Sequence, residues 1–285
     1  MKNISHHVKH LVFFIVMIII STIVGLFIIP RADNIHLKQE TKDTKERIEM
    51  IRLSAVGDSL TEGIGDTTNS GGYVPLLQKD LSDNYPVDVF QIENFGKSGD
   101  RSDQILKRLK KNEDMQKSVK NANAILLTVG GNDLLQALQP KLFSKTTVSK
   151  MEKPKEKYYE RLEELYSELR SLNPDAPIYQ LGIYNPFYLN FSEITELQDI
   201  VDFWNKSSQQ FVKEQKNAYF VPINDDIYEG IPEIEKTEDS KTSNSASLND
   251  LISSEDTFHP NNLGYQIIAN AFELKMASTK DKWLK

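Results

Sequence analysis

The sequence predicts an α/β fold, a three-layer α/β/α sandwich built on a five-stranded parallel sheet, and three observations predict it. Short apolar runs recur from Ile51 onward, stretches with helical spacing of apolar residues separate them, and several runs end in small, polar, glycine-bearing sequences. Strands that alternate with helices need crossover connections, which are right-handed and lay helices on both faces of a parallel sheet. In such sheets binding sites gather at the carboxyl ends of the strands.

Strands are expected at residues 51–56, 87–92, 124–129, 178–183 and 219–223, each a short run of mainly aliphatic or aromatic side chains. Between the last three, Tyr158, Leu162, Leu165, Leu169 and Leu172 recur at helical spacing, as do Leu197, Val201, Trp204 and Phe211. A final helix after Pro260 carries Leu263, Ile267, Ala271 and Leu274. Residues 225–255 break the alternation: they are acidic, rich in Ser, Thr and Asn, and without periodicity. That composition predicts a long mobile loop, either a lid over a site or a solvated insertion.

Ahead of the domain, residues 11–29 contain no charged side chain, and at helical rise they extend roughly 28 Å, enough to cross a bilayer. Lys2 and Lys9 precede this run. Positive flanks stay on the cytoplasmic side, so the expectation is a cytoplasmic segment 1–10, a transmembrane anchor 11–29, a polar stalk 30–47 and an extracytoplasmic domain 48–285. The alternative is a signal peptide and a secreted product, but Ile-Ile-Pro-Arg-Ala-Asp after the run offers no clear small-x-small cleavage site.

The chain of 285 residues carries a formal charge of −7, and since Lys2 and Lys9 are the only charges before Arg31, the remainder stands at −9. An acidic surface repels nucleic acid and anionic headgroups alike, so contact with the membrane is assigned to the helix alone. Cysteine is absent, which excludes disulfides, thiol nucleophiles and thiolate metal sites. The oligomeric state is not encoded in any pattern of this kind.

Histidine is scarce in an informative way. Of the five, His6, His7, His10 and His36 precede the domain, so His259 alone can serve a folded site. A multi-histidine zinc site is thereby excluded, whereas a Ser-His-Asp arrangement needs only one imidazole. In Asp256-Thr257-Phe258-His259-Pro260 a carboxylate stands three residues before that imidazole, close enough to hold Nδ1 and leave Nε2 free as a base. A surface turn with Asp256 capping the next helix would produce the same spacing.

The first strand runs directly into Gly57-Asp58-Ser59-Leu60, which puts Ser59 at the sheet's carboxyl edge beside a helix start, where N–H groups favour negative charge. Asp and Ser are also ordinary N-cap residues. Two further strands end in Asn94-Phe95-Gly96-Lys97-Ser98-Gly99-Asp100 and Gly130-Gly131-Asn132-Asp133. Glycines let backbone N–H groups approach a substrate and a side-chain amide donates without titrating, so both suit an oxyanion hole, and both suit plain turns.

Taken together and in this order, the four blocks resemble those of the SGNH, or GDSL, hydrolase family, over most of the stretch from Ile51 to Ala277. The resemblance implies a flavodoxin-like fold, Ser59 as nucleophile, His259 as base and Asp256 as its orienter. It further implies Ser59 N–H, Gly99 N–H and the Asn132 amide as oxyanion donors, with Gly96 as a substitute for Gly99, and no metal or cofactor. The chain looks nearest the bacterial lysophospholipase and thioesterase-like branch, which implies lipid or small acyl esters as substrates. It departs from the family in one place: relatives often carry glycine directly after the aspartate, where this chain has Thr257.

For an acyl wall, Tyr184, Phe187, Tyr188 and Phe191 follow the fourth strand, where core packing would equally explain them. Three other functions compete with a lipid esterase: a carbohydrate O-deacetylase, a catalytically silent envelope-binding protein, and a metal-dependent phosphoesterase using Asp58, Asp100, Asp133 and Asp256.

Overall fold

Aliphatic runs too short to be helices pair side by side in this protein, and their pairing places the site. The computed structural model describes residues 48–139, 147–186, 195–228 and 251–285. Strand β1 (Ile48–Gly57) lies between β2 (Val87–Gly96) and β3 (Ala124–Thr128), and β4 (Ile178–Leu181) and β5 (Ala218–Val221) follow. The sheet order is β2-β1-β3-β4-β5, and every pair is parallel. Strands β1 and β2 stay in register from Ile48 opposite Val87 to Gly57 opposite Gly96. They are longer than their apolar runs because the backbone ladder continues through polar residues once it has a partner. Conversely, β4 and β5 stop short of Ile183 and Ile223.

The helices are α1 (Ser59–Glu62), α2 (Tyr73–Asn84), α3 (Ser102–Leu109), α4 (Glu113–Asn121), α5 (Gly131–Leu138), α6 (Glu152–Leu172), α7 (Thr195–Glu214), α8 (Asn224–Tyr228), α9 (Asn262–Ala277) and α10 (Lys280–Trp283). Side chains alternate across the sheet at period two. Ile51, Leu53, Ala55 and Leu126 join a core with α2 and α9, while Val56, Ile125 and Leu127 join a second core with α3 through α7. The result is the three-layer sandwich. Burying such side chains contributes about 1.5–3 kcal/mol each, so the two cores dominate the stability of the domain.

One expectation is refined and one corrected. Helix α9 exists, and of the four apolar residues expected on it Ile267 and Ala271 pack partly against the first core, while Leu263 and Leu274 are 44% and 73% exposed. It buries Tyr265, Ile268, Phe272 and Met276 fully. The helix is apolar on several sides, so its sequence offers two candidate stripes, and the fit against α2, with Tyr73 stacked on Phe272 at 4.9 Å, selects one. The predicted loop 225–255 is also narrower at both ends. Residues 225–228 belong to α8, and Leu251 and Ile252 are buried in the first core. Its middle lies outside the described residues, as does the whole N-terminal segment with the anchor expected at 11–29. Among the described residues no helix is long and apolar enough to cross a membrane.

Candidate active site

In this strand order the chain leaves β1 to one side to make β2 and then crosses to the other side to make β3, so the loops after β1 and β3 diverge and leave a crevice. Ser59 follows β1 and Asn132 follows β3. Ser59 is buried at the first position of α1, where Asp58 caps the helix by accepting from Leu60 N–H at 3.1 Å.

His259 reaches this serine from far along the chain. Its Nε2 lies 2.9 Å from Ser59 Oγ, and its Nδ1 lies 2.5 Å from Asp256 Oδ2. The other carboxylate oxygen, Oδ1, accepts the backbone N–H groups of Phe258 and His259, both at 2.9 Å. Asp256 is therefore fixed by its own turn and does not cap α9; that role belongs to Asn261, whose side chain accepts from Leu263 and Gly264. Burial works to raise the Asp256 pKa, but the hydrogen bonds from the His259 ring and from the two backbone N–H groups outweigh it and hold the carboxyl below its ordinary value.

The turn is clasped by an antiparallel bridge between Ile252 and Pro260, with Ser253 N–H donating to the His259 carbonyl at 2.8 Å and Asn261 N–H to the Leu251 carbonyl at 2.9 Å. Thr257 within it has φ +54°. That is the left-handed region, where glycine rests without strain and a β-branched residue does not, which gives the departure at this position a physical meaning.

Of the expected oxyanion donors, Asn132 stands beside Ser59 and His259 in one cleft, and its amide donates one N–H to the Asp100 carbonyl at 3.0 Å. A primary amide has a second N–H to offer. Gly99 is exposed, with φ +81° and open space where a Cβ would point. Gly96 is otherwise engaged: its N–H donates to Asn94 Oδ1 at 2.9 Å, and a Cβ there would stand 2.0 Å from Glu62 N. Close packing of α1 on β2 explains that glycine.

Asp58 is buried, and desolvation raises its pKa despite bonds from Thr128 Oγ1, at 2.8 Å, and Leu60 N–H. Thr128 continues the polar chain to Thr61 at 2.8 Å, and Gly57 makes room for it, since a Cβ at Gly57 would meet Thr128 Oγ1 at 2.0 Å. The four carboxylates considered for a metal are dispersed among separate partners: Asp58 on Thr128, Asp100 on Arg108, Asp133 on Ser102 and Arg161, Asp256 on His259. Among the described residues no group of three or more His, Asp or Glu could hold a metal ion.

The cleft continues away from Ser59 as an apolar slot between α5 and α7, walled by Leu134, Leu135, Leu138, Ile183, Leu197 and Val201. Tyr184 borders it, buried, with its hydroxyl donating to the Phe258 carbonyl at 2.8 Å. Phe187, Tyr188 and Phe191, the other expected wall residues, lie outside the described residues. The leucines of α5 could have been noticed as a Leu-Leu-x-x-Leu run behind Asn132, but nothing local says that they face a cleft.

The pattern of the GDSL-like lipase/acylhydrolase family matches residues 55–267. The chain belongs to this family. It is 35% identical over 232 residues to the uncharacterized protein YpmR of Bacillus subtilis, an alignment that covers 81% of this chain and 83% of YpmR. A shorter stretch of 89 residues, 31% of this chain and 41% of the relative, is 36% identical to the spore germination lipase LipC of Bacillus licheniformis. Among solved structures, the lipase Lip_vut3 from a goat rumen metagenome superposes with a TM-score of 0.60 at 21% identity, covering 79% of this chain and 97% of that one. The acetyl xylan esterase Axe2 of Geobacillus stearothermophilus gives a TM-score of 0.57 at 20% identity, with 81% and 96% covered. At such identities these two likenesses speak for the fold of this GDSL-family chain.

Proposed function

We propose that this GDSL-family protein is a serine ester hydrolase acting through an acyl-enzyme on Ser59, and that its substrates are lipid-like acyl esters. The observation that carries the proposal is the hydrogen-bonded series Ser59, His259, Asp256, with the base 2.9 Å from the nucleophile. His259 Nε2 takes the Ser59 proton as Oγ attacks the ester carbonyl. Ser59 N–H, Gly99 N–H and the Asn132 amide hold the oxyanion, the imidazolium returns the proton to the leaving alcohol, and water repeats the cycle to release the acid. Asp256, held ionised by its turn, keeps the imidazole oriented and stabilises its charged form.

The apolar slot favours an acyl chain over an acetyl group, because each buried methylene contributes about 0.8 kcal/mol to binding. Membrane anchoring through residues 11–29, with the hydrolase domain outside, belongs to the same proposal and rests on the uncharged run and on Lys2 and Lys9 ahead of it.

The test is hydrolysis of acetyl, butyryl and decanoyl p-nitrophenyl esters by the protein and by Ser59→Ala. Activity that rises with chain length and vanishes in the variant supports the proposal. Preference for acetyl over longer chains would instead select a carbohydrate deacetylase, the activity named for Axe2. Activity that survives in Ser59→Ala would remove the serine mechanism.

A further inference from the structure

Arg108, in the last turn of α3, donates three hydrogen bonds to oxygen from one guanidinium, besides a longer contact with Met115 Sδ at 3.9 Å. Its Nε donates to Asp100 Oδ2 at 2.5 Å, one terminal nitrogen to the Phe95 carbonyl at 3.0 Å and the other to the Gly57 carbonyl at 2.8 Å. Gly57 and Phe95 lie at the ends of β1 and β2, and Asp100 closes the turn that holds Gly99. The Asp100 carbonyl is also the group that accepts the Asn132 amide. One rigid cation thus gathers the segments that carry all three oxyanion donors assigned above: Ser59 two residues after Gly57, Gly99 one residue before Asp100, and Asn132 through the Asp100 carbonyl.

We infer that Arg108 is a positioning residue of the oxyanion hole, an inference that rests on the serine mechanism proposed above. A guanidinium offers donors in a fixed planar fork, so its three bonds fix directions as well as distances. A lysine would supply the charge for Asp100 without the fork. The Arg108 side chain is only 22% exposed and that of Asp100 8%, so solvent competes weakly for the pair. The 97–100 turn has lesser ties, Lys97 N–H to the Gly57 carbonyl at 3.1 Å and Ser98 N–H to the Glu62 carboxylate, but neither fixes the Asp100 carbonyl that orients Asn132. Arg108 lines no part of the cleft, so it acts through its neighbours and touches no reacting atom.

The experiment is a double-mutant cycle of Arg108→Lys with Asn132→Ala in the full-length protein, beside Ser59→Ala. It reads kcat and KM on p-nitrophenyl butyrate, the rate of Ser59 labelling by a fluorophosphonate, and the melting temperature. Arg108→Lys is expected to lower kcat and the labelling rate on the order of 10- to 10²-fold with KM within about twofold. In the Asn132→Ala background, the same change is expected to lower them by a clearly smaller factor, at least about threefold smaller, because one of the three donors it positions is already gone. An equal factor in both backgrounds, or a loss explained by the fraction unfolded at the assay temperature, would overturn the inference. If neither hydrolysis nor labelling depends on Ser59, the serine mechanism fails and the inference with it. Serine-dependent activity without coupling sinks the inference alone.

Discussion

Gly65 touches the back of His259: a Cβ on Gly65 would stand 3.1 Å from the histidine Cβ and 2.4 Å from the Pro260 carbonyl oxygen. Gly65 also has φ +93°. The loop after α1 thus presses directly on the turn that delivers the base, and the contact admits no side chain.

Gly65→Ala should therefore displace His259 from Ser59. A shift near 1 Å at a reacting group costs on the order of 10² in rate, so kcat on the butyryl ester should fall by about that factor with KM little changed. Steady-state kinetics checks this, and a kcat within twofold of the parent would show that the Pro260 carbonyl can yield.

Thr257→Gly should stabilise the protein. Holding a β-branched residue at φ +54° costs about 1–2 kcal/mol, and the greater freedom of an unfolded glycine returns roughly 0.5–1 kcal/mol of that. A gain of up to about 1 kcal/mol in urea unfolding is expected, with an unchanged slope. Thr257→Ala keeps the strained φ and should give no such gain.

Acid should weaken the clasp around the base through a second carboxylate. Asp66 is buried, which works to raise its pKa, yet it accepts Thr68 Oγ1 and N–H, three further backbone N–H groups from residues 70–72, and Asn262 Nδ2 at 3.1 Å, and these prevail to lower it. A carboxyl depressed on folding contributes stability that is present above its unfolded value near 3.8 and is lost as the pH falls through its lower folded value. Asp256 has the same sign. Thermal melts should thus drop steeply below about pH 4, and Asp66→Asn should be less stable at pH 7 with a shallower acid slope. A variant whose acid slope matches the parent's would remove Asp66 from this account.

The slot should set chain length. Val201 and Leu138 are buried in its walls. Val201→Phe fills space that a long acyl chain would occupy, so decanoyl hydrolysis should fall at least about tenfold while acetyl hydrolysis stays within about threefold, given about 0.8 kcal/mol per excluded methylene. Equal losses on both esters would indicate damage to α7 packing instead.

Sequence and structure divide according to how local each signal is. The five strands, the three-layer architecture, Ser59 at the end of β1 and the Asp256 to His259 turn are written in contiguous stretches, because strand period, turn chemistry and a three-residue carboxylate-imidazole spacing act over a few neighbours. What required tertiary structure is whatever two distant segments decide together. The stripe of α9 that is buried was settled by α2, the need for glycine at position 96 by the approach of α1, and the makeup of the slot by α5 facing α7. The clamp of Arg108 was likewise invisible, since Gly57, Phe95 and Asp100 converge only when β1 and β2 pair in register. By itself the sequence determined which side chains can do chemistry and at which strand ends they stand. The tertiary structure decided the 2.9 Å approach of residues 59 and 259, because loop closure across 200 residues is fixed by the packing of two cores and not by any local preference.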